Sequence, residues 1–225
     1  MKNKKAKEII TELHKETILS SSEKLFLEKG FDKTTITDIS KSSEYSRRTI
    51  YSYFNSKKEI LNHIVLKGLK NLLQNITLAI ESNADYIEKY ELICKAMENY
   101  YLNSPYSFEM VNRLKNKNMN IKSQSKTVVN IFYVGSQINK LLEEYIDDGK
   151  EKGILLPHIK TKESVYIIWS NISSLLSLVD NKGQFIEKDT KNTKEEFLNY
   201  GYKQIINSII KERIKWKKIT IVWQL

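Results

Sequence analysis

Cysteine occurs once in this sequence of 225 residues, proline twice, histidine three times and glycine seven times. A lone Cys94 excludes an internal disulfide and favours an intracellular setting; its apolar neighbourhood raises a thiol pKa, so it reads as a small buried residue and not as a sensor. So few glycines and prolines, against many Leu, Ile, Lys and Glu, favour helices over a sandwich or barrel. His14, His63 and His158 are scattered, and none has a partner at a metal-ligand spacing such as i, i+4. Glycine-rich phosphate loops and nucleophile elbows are also missing. These absences point away from an enzyme, so neither catalytic residues, a metal nor a cofactor is expected. The opening MKNKKAKEIITELHK lacks the apolar core of a signal peptide. The most apolar region, Tyr166 to Val179, is broken by Ser170, Asn171, Ser173, Ser174 and Ser177, which makes it too short and too polar for a membrane span. The expectation is a soluble cytoplasmic protein with no membrane partner.

What is present is enough apolar material, 40% of residues, for a real core, best divided between two domains. The fold class expected is all-α. Formal net charge is +10, and residues 1–70 hold 15 Lys and Arg against 9 Asp and Glu. That bias fits a surface facing phosphates, although lysines spread over solvated faces give the same count.

The stretch Thr34 to Leu61, TTITDISKSSEYSRRTIYSYFNSKKEIL, carries the chemistry. Thr35 with Asp38 three residues on is a capping arrangement for a helix with Ile36 and Ile39 inward, ending near Ser42. Ser46 caps a second helix in which Ile50 and Phe54 share one side, while Arg47, Arg48, Thr49, Tyr51 and Ser52 lie around the rest. Ser56 with Glu59 forms another capping box and starts a third helix. Two short helices joined by a tight turn, the second carrying two arginines, are what a helix-turn-helix reader of DNA requires. Arg47 and Arg48 suit bidentate contact with guanine. Ser52 and Tyr53 reach bases or phosphates, with packing against the third helix the other role open to Tyr53. Thr35, Thr49, Tyr51 and Lys57 suit phosphate contacts. Upstream, one helix from about Ile10 to Lys29 ends at Gly30 in a left-handed cap, completing a small core of Ile18, Leu25, Phe26, Phe31, Ile36, Ile39, Ile50 and Phe54. The arm Lys2, Lys4, Lys5 and Lys7 is either a frayed end or a further DNA contact.

The run IL-x-SS-x-x-LF-x-x-KGF-x-x-TT-x-x-DIS, followed by YSRRTIYSYFNSKKEIL, resembles the DNA-binding domain of the tetracycline-repressor (TetR/AcrR) family of bacterial regulators. The resemblance covers about Ile18 to Leu61. It departs at Ser21 and Ser22, where alanine is usual, at Glu44, where the turn usually has glycine, and at Arg48, where glycine is frequent. Glu44 requires either a turn without positive φ or local strain. The resemblance implies an N-terminal three-helix domain, residues 1–56, joined by a long helix to a helical effector-binding and dimerisation bundle, residues 57–225, with about nine helices in all. It further implies a ligand-responsive transcriptional regulator that binds palindromic double-stranded DNA as a homodimer, repression being the commoner outcome. The other reading is a helical protein-interaction module without sequence-specific DNA binding.

Beyond Leu61 the periodicity places a long helix to Ile80, a break at Asn83 to Asp85, and a helix over Tyr86 to Leu102 stopped by Ser104 and Pro105. A short helix follows around Phe108 to Lys117, then a long one from Val128 to about Lys152, and a loop at Gly153 to Pro157. Thr161 caps a helix to Val179, residues Asn181 to Thr193 form a polar loop, and Thr193 with Glu196 boxes the last helix. The tail Lys215 to Leu225 either continues that helix or lies extended. Tyr90, Cys94, Met97 and Tyr101 form one stripe, which Met110, Phe132, Tyr133, Tyr166 and Trp169 can face. Such a lining suits an apolar or aromatic effector, although the same stripe also makes an ordinary core. Ile172, Leu176, Phe197, Gly201, Ile205 and Ser208 are expected at the dimer interface, where small residues allow close helix contact.

Overall fold

The computed structural model of the chain describes residues 2–113 and 124–212, so the tail Lys215 to Leu225 and residues 114–117 of the expected short helix lie outside the described residues, as do the side chains of Lys2, Lys4 and Lys5. The described residues form nine α-helices and no strand: α1 (Lys2–Lys29), α2 (Ile36–Ser43), α3 (Arg47–Tyr53), α4 (Lys57–Glu81), α5 (Tyr86–Asn103), α6 (Pro105–Arg113), α7 (Lys126–Glu151), α8 (Thr161–Thr190) and α9 (Lys194–Asn207). Helix α1 begins eight residues before the expected start. Pro105 ends α5 and also opens α6, where its fixed φ and missing N–H suit the first helical position.

Two compact units divide the chain, one of residues 1–78 and 98–138, the other of 79–97 and 139–225, so the boundary falls inside α4, α5 and α7. In the first unit the core brings together Ile18, Leu19, Leu25, Phe26, Ile39, Ile50, Phe54, Ile60, Ile64 and Tyr106, with Phe31 and Ile36 only partly buried against it. The three-helix core read from sequence is therefore also built from α4 and α6. Tyr106 sets its ring 5.4 Å from that of Phe26. Helix α6 is fastened further by Ser107, which is fully buried, donates to the Val65 carbonyl at 3.1 Å and pairs with the Tyr100 hydroxyl at 2.8 Å. Gly68 makes this approach possible, since a Cβ there would lie 2.5 Å from Ser107 Oγ.

In the second unit Tyr86 and Tyr145 stack with centroids 4.4 Å apart, and each hydroxyl donates to the other's backbone carbonyl, at 3.1 and 2.7 Å. Burial pushes both phenol pKa values up, so the pair stays protonated and able to donate. Tyr90 donates to the Tyr202 carbonyl at 2.9 Å, tying α5 to α9. The boxed start of α9 is as expected, Thr193 Oγ1 accepting the Glu196 N–H and Glu196 accepting the Thr193 N–H.

Two sequence expectations are corrected here. Helix α8 does not end at Val179 but runs to Thr190 through a kink at Lys182 (φ −129°, ψ 15°), because Gly183 and Ile186 are buried and Gly183 leaves room for the Lys194 side chain. Thr161 is not the cap of α8: Lys160 holds that position without a side-chain bond, and Thr161 instead donates to Asp147 of α7 and accepts from Lys150 at 3.0 Å.

Gly68→Ala is expected to lower stability by about 1–3 kcal/mol, because Ser107 is enclosed and cannot retreat. Thermal unfolding of the variant beside wild type measures it.

Candidate nucleic-acid interface

The segment from Thr35 to Phe54 is built by short-range bonds. Thr35 Oγ1 accepts the Asp38 N–H at 3.1 Å, and Asp38 accepts the Thr35 N–H at 2.9 Å, which closes the box that starts α2. The Thr35 backbone bond, with smaller contributions from the Thr35 hydroxyl and Lys29, holds the Asp38 carboxyl down at about 2. The usual alanine pair is replaced without orphaned groups, since buried Ser22 donates to the Ile18 carbonyl at 2.7 Å. Helix α2 ends on Glu44 in the left-handed region, φ 60° and ψ 15°. Of the two alternatives for this turn, the strained one is adopted. The turn is fixed to α2 by Ser40, which donates to the Tyr45 carbonyl at 2.7 Å.

Ser46 caps α3 by accepting the Thr49 N–H at 3.0 Å, and its hydroxyl also lies 2.9 Å from Thr49 Oγ1. Ile50 is fully buried, whereas Arg47, Arg48, Tyr51 and Ser52 are exposed. Among the described residues no acidic group pairs with either arginine. The side of α3 away from the core thus presents two unneutralised cations, a phenol and hydroxyls, an arrangement that accepts phosphates and base edges. Thr35 and Thr49 lie at the starts of α2 and α3, where backbone N–H groups attract anions.

Three expected residues are placed differently. Lys57 turns its ammonium inward, donating to the carbonyls of Phe31 (2.5 Å), Thr34 (2.7 Å) and Asp32 (3.3 Å), and lies 4.3 Å over the Phe31 ring. It ties α4 to the turn after α1 and is not a free phosphate contact, since the carbonyl oxygens of that turn lack helical partners. Tyr53 is half-buried and its hydroxyl meets His14 Nδ1 at 2.9 Å. Glu59 does not close a box with Ser56: Ser56 Oγ accepts the Glu59 N–H at 3.1 Å, but Glu59 reaches one residue further back, to the Asn55 N–H at 2.7 Å. The contact of His14 escaped sequence reading, although its spacing four residues before Ile18 already places it on the core stripe of α1.

The expected effector pocket is only partly assembled. A cavity within the second unit is lined by Tyr90, Ile93, Met97, Leu142, Tyr145, Ile146, Val165, Ile168 and Trp169, and leaves the centre of a water-sized sphere about 20 Å³ in which to move. Tyr90, Met97 and Trp169 are thus brought together. Cys94 is buried but does not line it, and Tyr166 is 65% exposed on α8. Tyr101, Met110, Phe132 and Tyr133 belong to the first unit: Tyr101 packs edge-on against Phe108, Met110 against the core, and Tyr133 is 60% exposed. The phase of α5 turns Ile93 inward, and on α7 the residues Leu142, Tyr145 and Ile146 do the same. The expected interface divides similarly. Ile172 and Leu176 are buried within the second unit's core, Gly201 receives the Leu175 side chain, Phe197 and Ile205 are half-buried, and Ser208 is exposed. The apolar side chains left uncovered on α8 and α9 are Tyr166, Ile167, Leu178, Phe185 and Tyr200.

A capped helix behind a tight turn, with helices and no strand among the described residues, defines a DNA-binding protein of the helix-turn-helix class. Residues 18–64 match the family model described as bacterial regulatory proteins, tetR family. The chain is 36% identical over 72 residues to the biofilm operon icaADBC HTH-type negative transcriptional regulator IcaR of Staphylococcus aureus strain Newman; the match covers 32% of this chain and 38% of that relative. Its fold is that of the TetR-family regulator PfmR from Thermus thermophilus (TM-score 0.64, 23% identity, 84% of this chain and 97% of that one). The same fold occurs in the SmeT–triclosan complex (TM-score 0.68, 14% identity, 95% of this chain and 99% of that one). Residues 18–64 are thus similar to the DNA-binding domain of the TetR family, and the chain spans little more than a third of the length of the curated relatives it matches. Among the described residues no helix is long and apolar enough to cross a membrane.

Glu44→Gly is expected to stabilise the protein by about 1 kcal/mol by relieving the left-handed turn, and chemical denaturation checks it. Lys57→Met is expected to cost about 1.5–3 kcal/mol, the range for hydrogen bonds to a charged group, read from the shift in its denaturation midpoint.

Proposed function

We propose that this protein is a ligand-responsive repressor that binds a palindromic operator as a homodimer and is released by a small molecule. The observation that carries the reading is the exposed side of α3, where Arg47 and Arg48, with no acidic partner among the described residues, lie next to Tyr51 and Ser52 on a helix capped by Ser46. Arg47 and Arg48 read guanine edges in the major groove, and Thr35, Thr49 and Tyr51 hold phosphates. Similarity to a negative transcriptional regulator over this same region supports repression. Reading is the work of residues 1–56 and effector binding and dimerisation that of residues 57–225, although the packing unit of the reading helices also takes in α6.

Dimerisation is supported by the apolar side chains that α8 and α9 leave uncovered, Ile167, Leu178, Phe185 and Tyr200 among them. A second copy covering them supplies the two reading heads that a palindrome needs. The effector is apolar or aromatic: the cavity walls are rings and aliphatic chains, and the hydroxyls of Tyr90 and Tyr145 are committed to backbone carbonyls. A neighbour of the same fold was solved with triclosan. Because the space is small as it stands, the ligand opens it, and that difference in affinity between two arrangements is what shifts the population away from DNA. The protein acts in the cytoplasm.

The test is selection of duplexes from a random pool by the wild-type chain, followed by footprinting. A protected palindrome is expected, and absence of any enriched duplex would overturn the reading. Arg48→Ala is expected to lose about 1–3 kcal/mol of binding and relax base preference at one position, measured by titrating the selected duplex and its single-base variants.

A further inference from the structure

One side chain of α1 touches both flanks of the reading helix. The His14 ring lies 5.0 Å from that of Tyr45, in the turn before α3, and 6.0 Å at 70° from that of Tyr53, the last residue of α3; its Nδ1 is 2.9 Å from the Tyr53 hydroxyl. All three residues are half-buried. Tyr45 and Tyr53 bracket the helix, so His14 braces it at its entry and at its exit. His14 also precedes the start of the family match at residue 18, in the part of α1 that extends beyond it.

Helix α3 needs such a brace. It has seven residues, of which Ile50 alone is fully buried; Tyr53 packs half-buried against the core and Phe54 is buried just beyond the exit, so the entry, where Arg47 and Arg48 are exposed, is the less anchored end. A helix of this length is roughly 10 Å long, and a tilt of about 10° about its middle moves each end by roughly 1 Å. Bidentate recognition tolerates displacements of only about 0.5 Å and 10–20°. Arg47 and Arg48 lie at the first two positions of α3, where such a tilt is felt most.

We propose that His14 is a positioning residue for DNA reading, fixing the tilt of α3 through Tyr45 and Tyr53 so that Arg47 and Arg48 meet base edges in one orientation. This rests on the DNA-reading function proposed above. It separates specific from non-specific affinity: phosphate contacts tolerate a tilt that base contacts do not.

The experiment uses the full chain and the variants His14→Ala, His14→Asn, Tyr53→Phe and the double variant His14→Ala with Tyr53→Phe. Asparagine sets an amide atom near the place of Nδ1, and Tyr53→Phe removes only the hydroxyl and keeps the ring. Two quantities are read: amide hydrogen exchange over Thr49–Phe54 in the free protein, and affinity for a duplex selected by the wild type against a scrambled duplex. His14→Ala is expected to speed exchange over Thr49–Phe54 and to weaken binding to the selected duplex about tenfold, the size of one lost hydrogen bond. Binding to the scrambled duplex stays within about twofold, His14→Asn recovers most of the loss, and the double variant is no worse than His14→Ala. Unchanged exchange in both His14→Ala and Tyr53→Phe overturns the proposal, as does an equal loss on both duplexes. If the wild type selects no duplex, the DNA-reading function fails, and the exchange measurement alone still decides whether His14 braces α3.

Discussion

A helix of seven residues is too short to persist in water on its own propensity, because isolated helices below about 12–15 residues are marginal. Helix α3 is such a helix, and it carries the two arginines proposed above to read DNA. Its shape is therefore imposed from outside. Ser46 satisfies the free N–H of Thr49 in its first turn, Ile50 anchors its middle, and Phe54, 1% exposed, buries its exit. The short range of these supports explains why α2, α3 and the start of α4 follow one another with so few intervening residues. It also explains why the turn tolerates Glu44 at positive φ: the flanking helices determine the path, and the residue absorbs the strain.

Most features fixed within four residues were readable from sequence. The Thr35–Asp38 and Thr193–Glu196 boxes, the Ser46 cap and the Gly30 turn are of this kind, whereas the Ser56–Glu59 box and the Thr161 cap were misread. The first core was legible in part from helical periodicity, without Tyr106 of α6. Features set by distant partners were not. Gly183 and the polar residues around it read as a loop, yet Ile186 and Gly183 are buried and the helix continues past Lys182. Lys57 carries the charge of a phosphate contact, but carbonyls more than twenty residues earlier claim its ammonium. The cavity was legible as a kind of surface and in three of its residues, while the helical phase that admits Ile93, Leu142, Tyr145 and Ile146 depends on packing that no local pattern encodes.

The second unit uses tyrosine where many helical cores use aliphatic residues alone. Tyr86, Tyr90 and Tyr145 each bury a ring and place the hydroxyl on a backbone carbonyl of another helix, which satisfies the polar group and pins the helices in register. Gly149 lets Tyr86 lie against α7, as its missing Cβ leaves the space that the phenol occupies. The cavity beside these rings is therefore bounded on one side by a hydrogen-bonded frame and elsewhere by aliphatic side chains and Trp169 from α5, α7 and α8.

Tyr106 enters the reading head's core from a position eighty residues beyond Phe26, the ring it packs against. During synthesis the chain emerges from its N-terminus, so α1, α2 and α3 leave the ribosome long before α6 exists to complete the core around them. The core of the first unit thus closes late, after α4 and α5 have been made. A nascent chain interrupted before residue 106 carries every residue proposed to read DNA and lacks the ring that finishes their support.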